Sequence, residues 1–114
     1  MKISPTQRTL KHLRDAGFIC QVVERWCPFS RRRIDLFGCI DIVALKPPMT
    51  IGVQATSGAN HSTRRVKISG LPEAKLWLEA GNQLWVVSWT KKKTGVKRYT
   101  WEPRIESVNL SYFV

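Results

Sequence analysis

Apolar residues recur at helical spacing in parts of this chain and in alternating or continuous runs elsewhere, and each change of period marks an element. Ser4-Pro5-Thr6-Gln7 is a helix start, with a capping serine, proline at the first helical position and glutamine to close a capping box. Leu10, Leu13 and nearby Ala16 make the apolar stripe, Arg8, Lys11 and Arg14 lie away from it, and Gly17 predicts the end. Phe18 to Trp26 reads as a strand stopped by Pro28, and a polar loop carrying Arg31, Arg32 and Arg33 follows. Ile40 to Leu45 is a nearly continuous apolar run, the pattern of a buried strand, and Lys46-Pro47-Pro48 turns the chain. In the next strand, Ile51 to Thr56, alternation puts Ile51, Val53 and Ala55 on one face and Gln54 and Thr56 on the other. After a Ser57-Gly58-Ala59 loop, Asn60 is placed to cap a short helix to about Ile68, and Pro72 opens another through Ala80. Gln83 to Thr90 reads as a strand, Lys91 to Gly95 as a turn, and Val96 to Trp101 as the returning hairpin strand. The expected order is α-β-β-β-α-β-β, a mixed α/β or α+β domain.

Length and composition narrow this picture. A chain of 114 residues builds one domain, here 1–114, since two would each be too small to close a good core. The 43% hydrophobic and 24% charged fractions argue against a disordered tail. Charge changes the picture more: 19 Lys and Arg against 8 Asp and Glu leave +11, with a pI near 10.2. So large an excess implies a polyanionic partner, with nucleic acid first and an anionic membrane surface second. No apolar run is long enough for a membrane span, and the first residues lack the apolar stretch of a signal peptide. Cys20, Cys27 and Cys39 form no C-x-x-C pair and read as reduced thiols of a cytoplasmic protein. His12 and His61 are too few and too scattered for a structural zinc site with them.

Candidate chemistry starts at Asp41, the one acid inside the apolar run Gly38 to Ala44. A carboxylate there must be paired, hydrogen-bonded or metal-bound. The connection to the next strand is long enough for Asp41 to lie beside Gln54 and Thr56, converging three oxygen-bearing side chains. Oxygen ligands suit Mg²⁺, which keeps several waters of its own. A partly exposed turn residue is the alternative reading of Asp41.

The segment Asp35-Leu36-Phe37-Gly38-Cys39-Ile40-Asp41-Ile42-Val43-Ala44-Leu45, followed by Ile51-Gly52-Val53-Gln54-Ala55-Thr56, resembles the core of the PD-(D/E)XK nuclease superfamily. The similar branches are the Holliday-junction resolvases and small resolvase-like phage or bacterial proteins. The resemblance spans roughly residues 5 to 90 and implies a restriction-endonuclease-like core that hydrolyses DNA phosphodiesters with Mg²⁺ or Mn²⁺. It implies Asp41 as the essential metal ligand, Gln54 in the acidic place as an auxiliary ligand, and Thr56 in the place of the family lysine. Lys67 is then the candidate for a lysine moved to the following helix, with Arg64 one turn before it. Gln7 stands where resolvases often carry a glutamate. Glu24 or Asp35 supplies a second acid if the fold brings either close. A homodimer in the cytoplasm of a bacterial or phage-infected cell is implied on the same ground.

Two substitutions depart from the family pattern: Gln54 is neutral, and Thr56 carries no positive charge. They motivate a second reading, a catalytically inactive member of the same fold that binds nucleic acid. An unrelated RNA- or protein-interaction module is a third. Phosphate contacts are expected from Arg8, Arg31, Arg32, Arg33, Arg64, Arg65, Lys91, Lys92 and Lys93, with Gln7, Asn60 and His61 at the site edge and Lys97 and Arg98 nearby. Of the five tryptophans, Trp77, Trp85 and Trp89 sit in core-like periods, and Trp26 and Trp101 are not placed by pattern.

Overall fold

The computed structural model describes residues 3–113. Helix α1 (Pro5–Asp15) begins on the expected capping box, with Ser4 Oγ accepting from the Gln7 amide at 3.2 Å. It closes through Gly17, whose φ of +94° is open to glycine at no steric cost. Strand β1 (Ile19–Val22) follows, then β2 (Arg25–Cys27) and β3 (Arg32–Ile34), β4 (Ile42–Lys46) and β5 (Met49–Ser57). Helices α2 (His61–Ser69) and α3 (Pro72–Glu79) cross to β6 (Gln83–Gly95), which returns as β7 (Arg98–Val108).

The fold is mixed α and β, with a five-stranded sheet in the order β1-β4-β5-β6-β7 and a separate two-stranded β2-β3 hairpin. The β5–β6 pair is parallel and the other pairs are antiparallel. Helices cover both faces of the sheet. Leu13 of α1 packs with Ile42, Ala44, Ile51, Val53, Val87 and Trp89 on one face. Ile68 of α2 and Ala74 of α3 pack with Cys39, Ile40, Leu84, Val86 and Val108 on the other. Gly52 is needed there, because a Cβ would stand 2.7 Å from Ile40 Cδ1 and 3.0 Å from Trp77 Nε1. Among the described residues no helix is long and apolar enough to cross a membrane.

Four expectations are corrected. The strand over Phe18 to Trp26 breaks at Val23, because β1 pairs with β4 whereas β2 turns away to pair with β3. Arg32 and Arg33 therefore lie on a strand, and only Arg31 stays in the turn. Lys91 to Gly95 continues β6, and the returning strand runs from Arg98 to Val108, since a long two-stranded ribbon satisfies backbone groups that a turn at Lys91 would leave unpaired. Asn60 makes no cap; it sits in a 3-10 turn and donates to Ser57 Oγ at 3.1 Å.

Candidate functional site

Asp41 lies just before β4, where the chain leaves the sheet. The Ile40 carbonyl is turned back to accept from the Leu36 amide at 2.9 Å, so the Ala55 amide of β5 has no strand partner there. The Asp41 carboxylate takes that place: its Oδ2 accepts from the Ala55 amide at 3.0 Å and from Gln54 Nε2 at 2.7 Å. Both Asp41 and Gln54 are buried. The other amide atom, Gln54 Oε1, is buried without a hydrogen-bond partner among the described residues, and exchanging the amide's O and N would only orphan its NH₂ group.

Two more acids reach the same point through the β2–β3 hairpin. The Val23 amide donates to the Asp41 carbonyl at 2.8 Å, which fixes Glu24 beside it. Arg25 pairs with Ile34, so Glu24 and Asp35 come next to each other just beyond the last paired residues. Ligand-type oxygens of Glu24, Asp35 and Asp41 all lie within 4.8 Å of one another. Burial, followed by the adjoining Asp35 carboxyl, pushes the Asp41 pKa up to about 8.

These acids line a cleft of about 450 Å³ whose rim is cationic: Arg32, Arg33, Arg64 and Lys67. Arg33 bonds Glu24 at 2.7 Å. Arg64 and Lys67, three apart on α2, share the cleft-facing side and make no ion pair among the described residues.

Several residues singled out in the sequence lie elsewhere. Thr56 is buried and is not part of the cleft lining, which corrects its expected convergence with Asp41 and Gln54. His61 is turned inward, correcting its placement at the site edge: Nδ1 meets Ser88 Oγ at 2.6 Å and Nε2 meets Glu106 Oε1 at 2.8 Å. Burial raises Glu106, but hydrogen bonds from His61 and Tyr112 and the charge of Arg65 outweigh it and leave the carboxyl below its ordinary value. Arg65 sits 3.6 Å from that same carboxylate rather than in the cleft. Gln7 is held in the capping box, its Oε1 accepting from the Ser4 amide at 3.4 Å, and Thr6 lines the acidic cleft in its stead. Asn60, Arg31 and the three lysines Lys91, Lys92 and Lys93 are exposed and outside the cleft. Arg8 lies against Trp101.

Glu24 and Asp35 are the two acids named in the sequence as possible additions to Asp41, and the fold brings both rather than one, because a hairpin register sets them side by side. The available signal was Pro28 followed by a polar turn and the short run Arg32-Arg33-Ile34; pairing that run back onto Arg25 to Cys27 places Glu24 opposite Asp35. Comparison of the chain with protein-family models, with curated proteins and with solved structures gives no match.

Proposed function

We propose that this chain is a metal-dependent endonuclease-like domain hydrolysing DNA phosphodiester bonds, on branched or otherwise structured DNA, as its resemblance to the PD-(D/E)XK superfamily implies. One observation carries the reading: three carboxylates converge at a cation-rimmed cleft beside a buried amide oxygen without a partner.

The donor set fits Mg²⁺ or Mn²⁺. Opposed oxygens on an octahedral Mg²⁺ with bonds of about 2.1 Å are about 4.2 Å apart. A cluster whose oxygens lie within 4.8 Å of one another is of the size one such ion would need. Glu24, Asp35 and Asp41 would hold the cation, with Gln54 orienting Asp41 through Nε2 and offering its unpartnered Oε1 as an auxiliary ligand. When bound, the cation supplies Lewis-acid activation of the phosphate and of its attacking water. The chain's own work is to hold the phosphate and spread its charge. Arg64 and Lys67, which line the cleft, would meet the negative charge that grows on the phosphoryl oxygens, and Arg32 and Arg33 would contact the flanking backbone. Paired cuts in a symmetric junction need two such sites, hence a homodimer on that substrate.

The test is incubation of the protein with Mg²⁺ or Mn²⁺ and duplex, single-stranded and four-way-junction DNA, alongside Asp41→Ala. Metal-dependent cleavage lost in the variant supports the reading, and intact substrates throughout reject it. The position of Thr56 in the core, off the cleft, favours the second reading, a nucleic-acid-binding domain of the same architecture without catalysis. Calorimetric titration with Mn²⁺ separates the two: equal heats for the native protein and Asp41→Ala select binding alone.

A further inference from the structure

On the far side of α1 from the acidic cleft, β6 outruns the sheet. Its last residue paired to β5 is Trp89; beyond it β6 pairs only with β7, and the ribbon projects without a core. Alternation along β7 puts Tyr99 and Trp101 on one face of that ribbon, with Lys93 and Lys91 as their cross-strand partners. Both rings stay in water, Tyr99 52% and Trp101 42% exposed, and neither belongs to either core cluster. Each carries a cation on its ring: Arg8 lies 4.1 Å from the Trp101 centroid and Lys91 Nζ 4.2 Å from that of Tyr99. Between ribbon and helix is a cleft of about 470 Å³, lined by Ile3, Gln7, Arg8, Trp89, Tyr99 and Trp101 among others.

We infer that this cleft binds single-stranded nucleic acid by stacking its bases on Tyr99 and Trp101. Two exposed rings on a ribbon with no core to build forgo the burial that usually justifies an aromatic residue. A single strand needs cations for its phosphates and flat rings for base faces of any sequence, and Arg8 and Lys91, now seated on the rings, would move to the phosphates as bases take their place. A duplex cannot use it, because its base faces are already stacked on one another. The first turn of α1 is the wall between the two sites: Thr6 lines the acidic cleft, while Gln7 and Arg8 line this one. Resting on the nucleic-acid reading of the acidic cleft, this names the substrate class: DNA with an unpaired strand next to the duplex that is cut. The stacking itself needs no metal.

Binding is measured in EDTA by fluorescence anisotropy, with oligo(dT), oligo(U), an abasic strand of equal length and a paired duplex. Tyr99→Ala and Trp101→Ala are each expected to weaken oligo(dT) about tenfold or more and to leave the abasic strand and the duplex unchanged. Trp101→Phe and Tyr99→Phe should restore most of the loss, which separates stacking from folding. Oligo(U) weakened in parallel identifies RNA as a further source of the same bases and supports the stack. Equal losses on the abasic strand, or no loss on oligo(dT), overturn the inference. Both results are independent of metal-dependent cleavage at Asp41, so failure here and failure of the nuclease reading are told apart.

Discussion

Replacing Asp41 by asparagine should stabilise the metal-free protein, an unusual outcome for a buried side chain with two hydrogen bonds. The carboxyl titrates near 8 in the fold, raised by burial and then by Asp35, against an ordinary 3.8. A difference of about four pK units corresponds to at most about 5–6 kcal/mol of strain on the ionised folded state. Asparagine has the same shape and no charge. It keeps one acceptor and gives up roughly 1 kcal/mol of hydrogen bonding where Ala55 and Gln54 now share Oδ2. The net gain at pH 8 and above is then at most about 4–5 kcal/mol, or up to roughly 20 °C in Tm for a domain of this size. The pH sense follows from the raised value. Below about pH 4 both folded and unfolded chains hold the proton and no strain exists. Between about 4 and 8 only the unfolded chain ionises, so native stability falls as pH rises, and above 8 the deficit is constant. Urea unfolding of both proteins in EDTA from pH 4.5 to 9 should show a gap opening from near zero to its full size. Adding Mg²⁺ should narrow the gap, because only the native protein gains binding energy through Asp41, about 2.7 kcal/mol at a hundredfold excess over Kd. An asparagine variant less stable than native at pH 8 in EDTA, or a gap that does not change with pH, would refute the reasoning.

Since Asp41 must lose its proton to hold a cation, Mn²⁺ affinity measured calorimetrically should weaken about tenfold per pH unit below 8; a flat profile would remove Asp41 from the ligand set. On the nuclease reading, Lys67→Ala should cut DNA cleavage at least about a hundredfold in single-turnover kinetics while Mn²⁺ affinity holds, because Lys67 lines the cleft without being one of its oxygen ligands. His61→Ala should cost about 1–3 kcal/mol in urea unfolding, because it leaves the buried Ser88 hydroxyl without its partner and removes one hydrogen bond from Glu106, which keeps Tyr112 and Arg65. Gly52→Ala should cost about 1–3 kcal/mol by driving a methyl group into Ile40 and the Trp77 ring.

The pattern of the chain carries some of these features and not others, according to the range of the interaction. Helix α1 is legible because its signals are neighbours in sequence: the Ser4–Gln7 box, Pro5 and Gly17 act within one turn of the residues they cap. The facing of β5 is legible too, since strict alternation sends Gln54 and Thr56 to one side whatever their partners are. Alternation does not say how far each residue sits from the sheet's end, so it groups Thr56 with Gln54 although only Gln54 reaches the cleft. His61 reads as a polar residue at a helix start; its burial depends on Ser88 and Glu106, which are 27 and 45 positions away. The lysines at 91 to 93 read as a turn because like charges rarely crowd a strand, yet the facing strand supplies Trp101, Thr100 and Tyr99 as neighbours.

By itself, then, the amino-acid order determined a basic α+β chain, its principal helices and strands, and Asp41 as an acid that cannot stand in an apolar run without a partner. Only the tertiary structure decided which partners those are. Glu24 and Asp35 join Asp41 because the Val23 amide docks on the Asp41 carbonyl and a hairpin register sets the two acids side by side. Capping and periodicity act over a few residues and leave a local trace in composition. The convergence of charges comes from hydrogen bonds between distant backbone segments, whose amides and carbonyls are the same for every residue, so the sequence marks the turn of the hairpin and not where the hairpin docks.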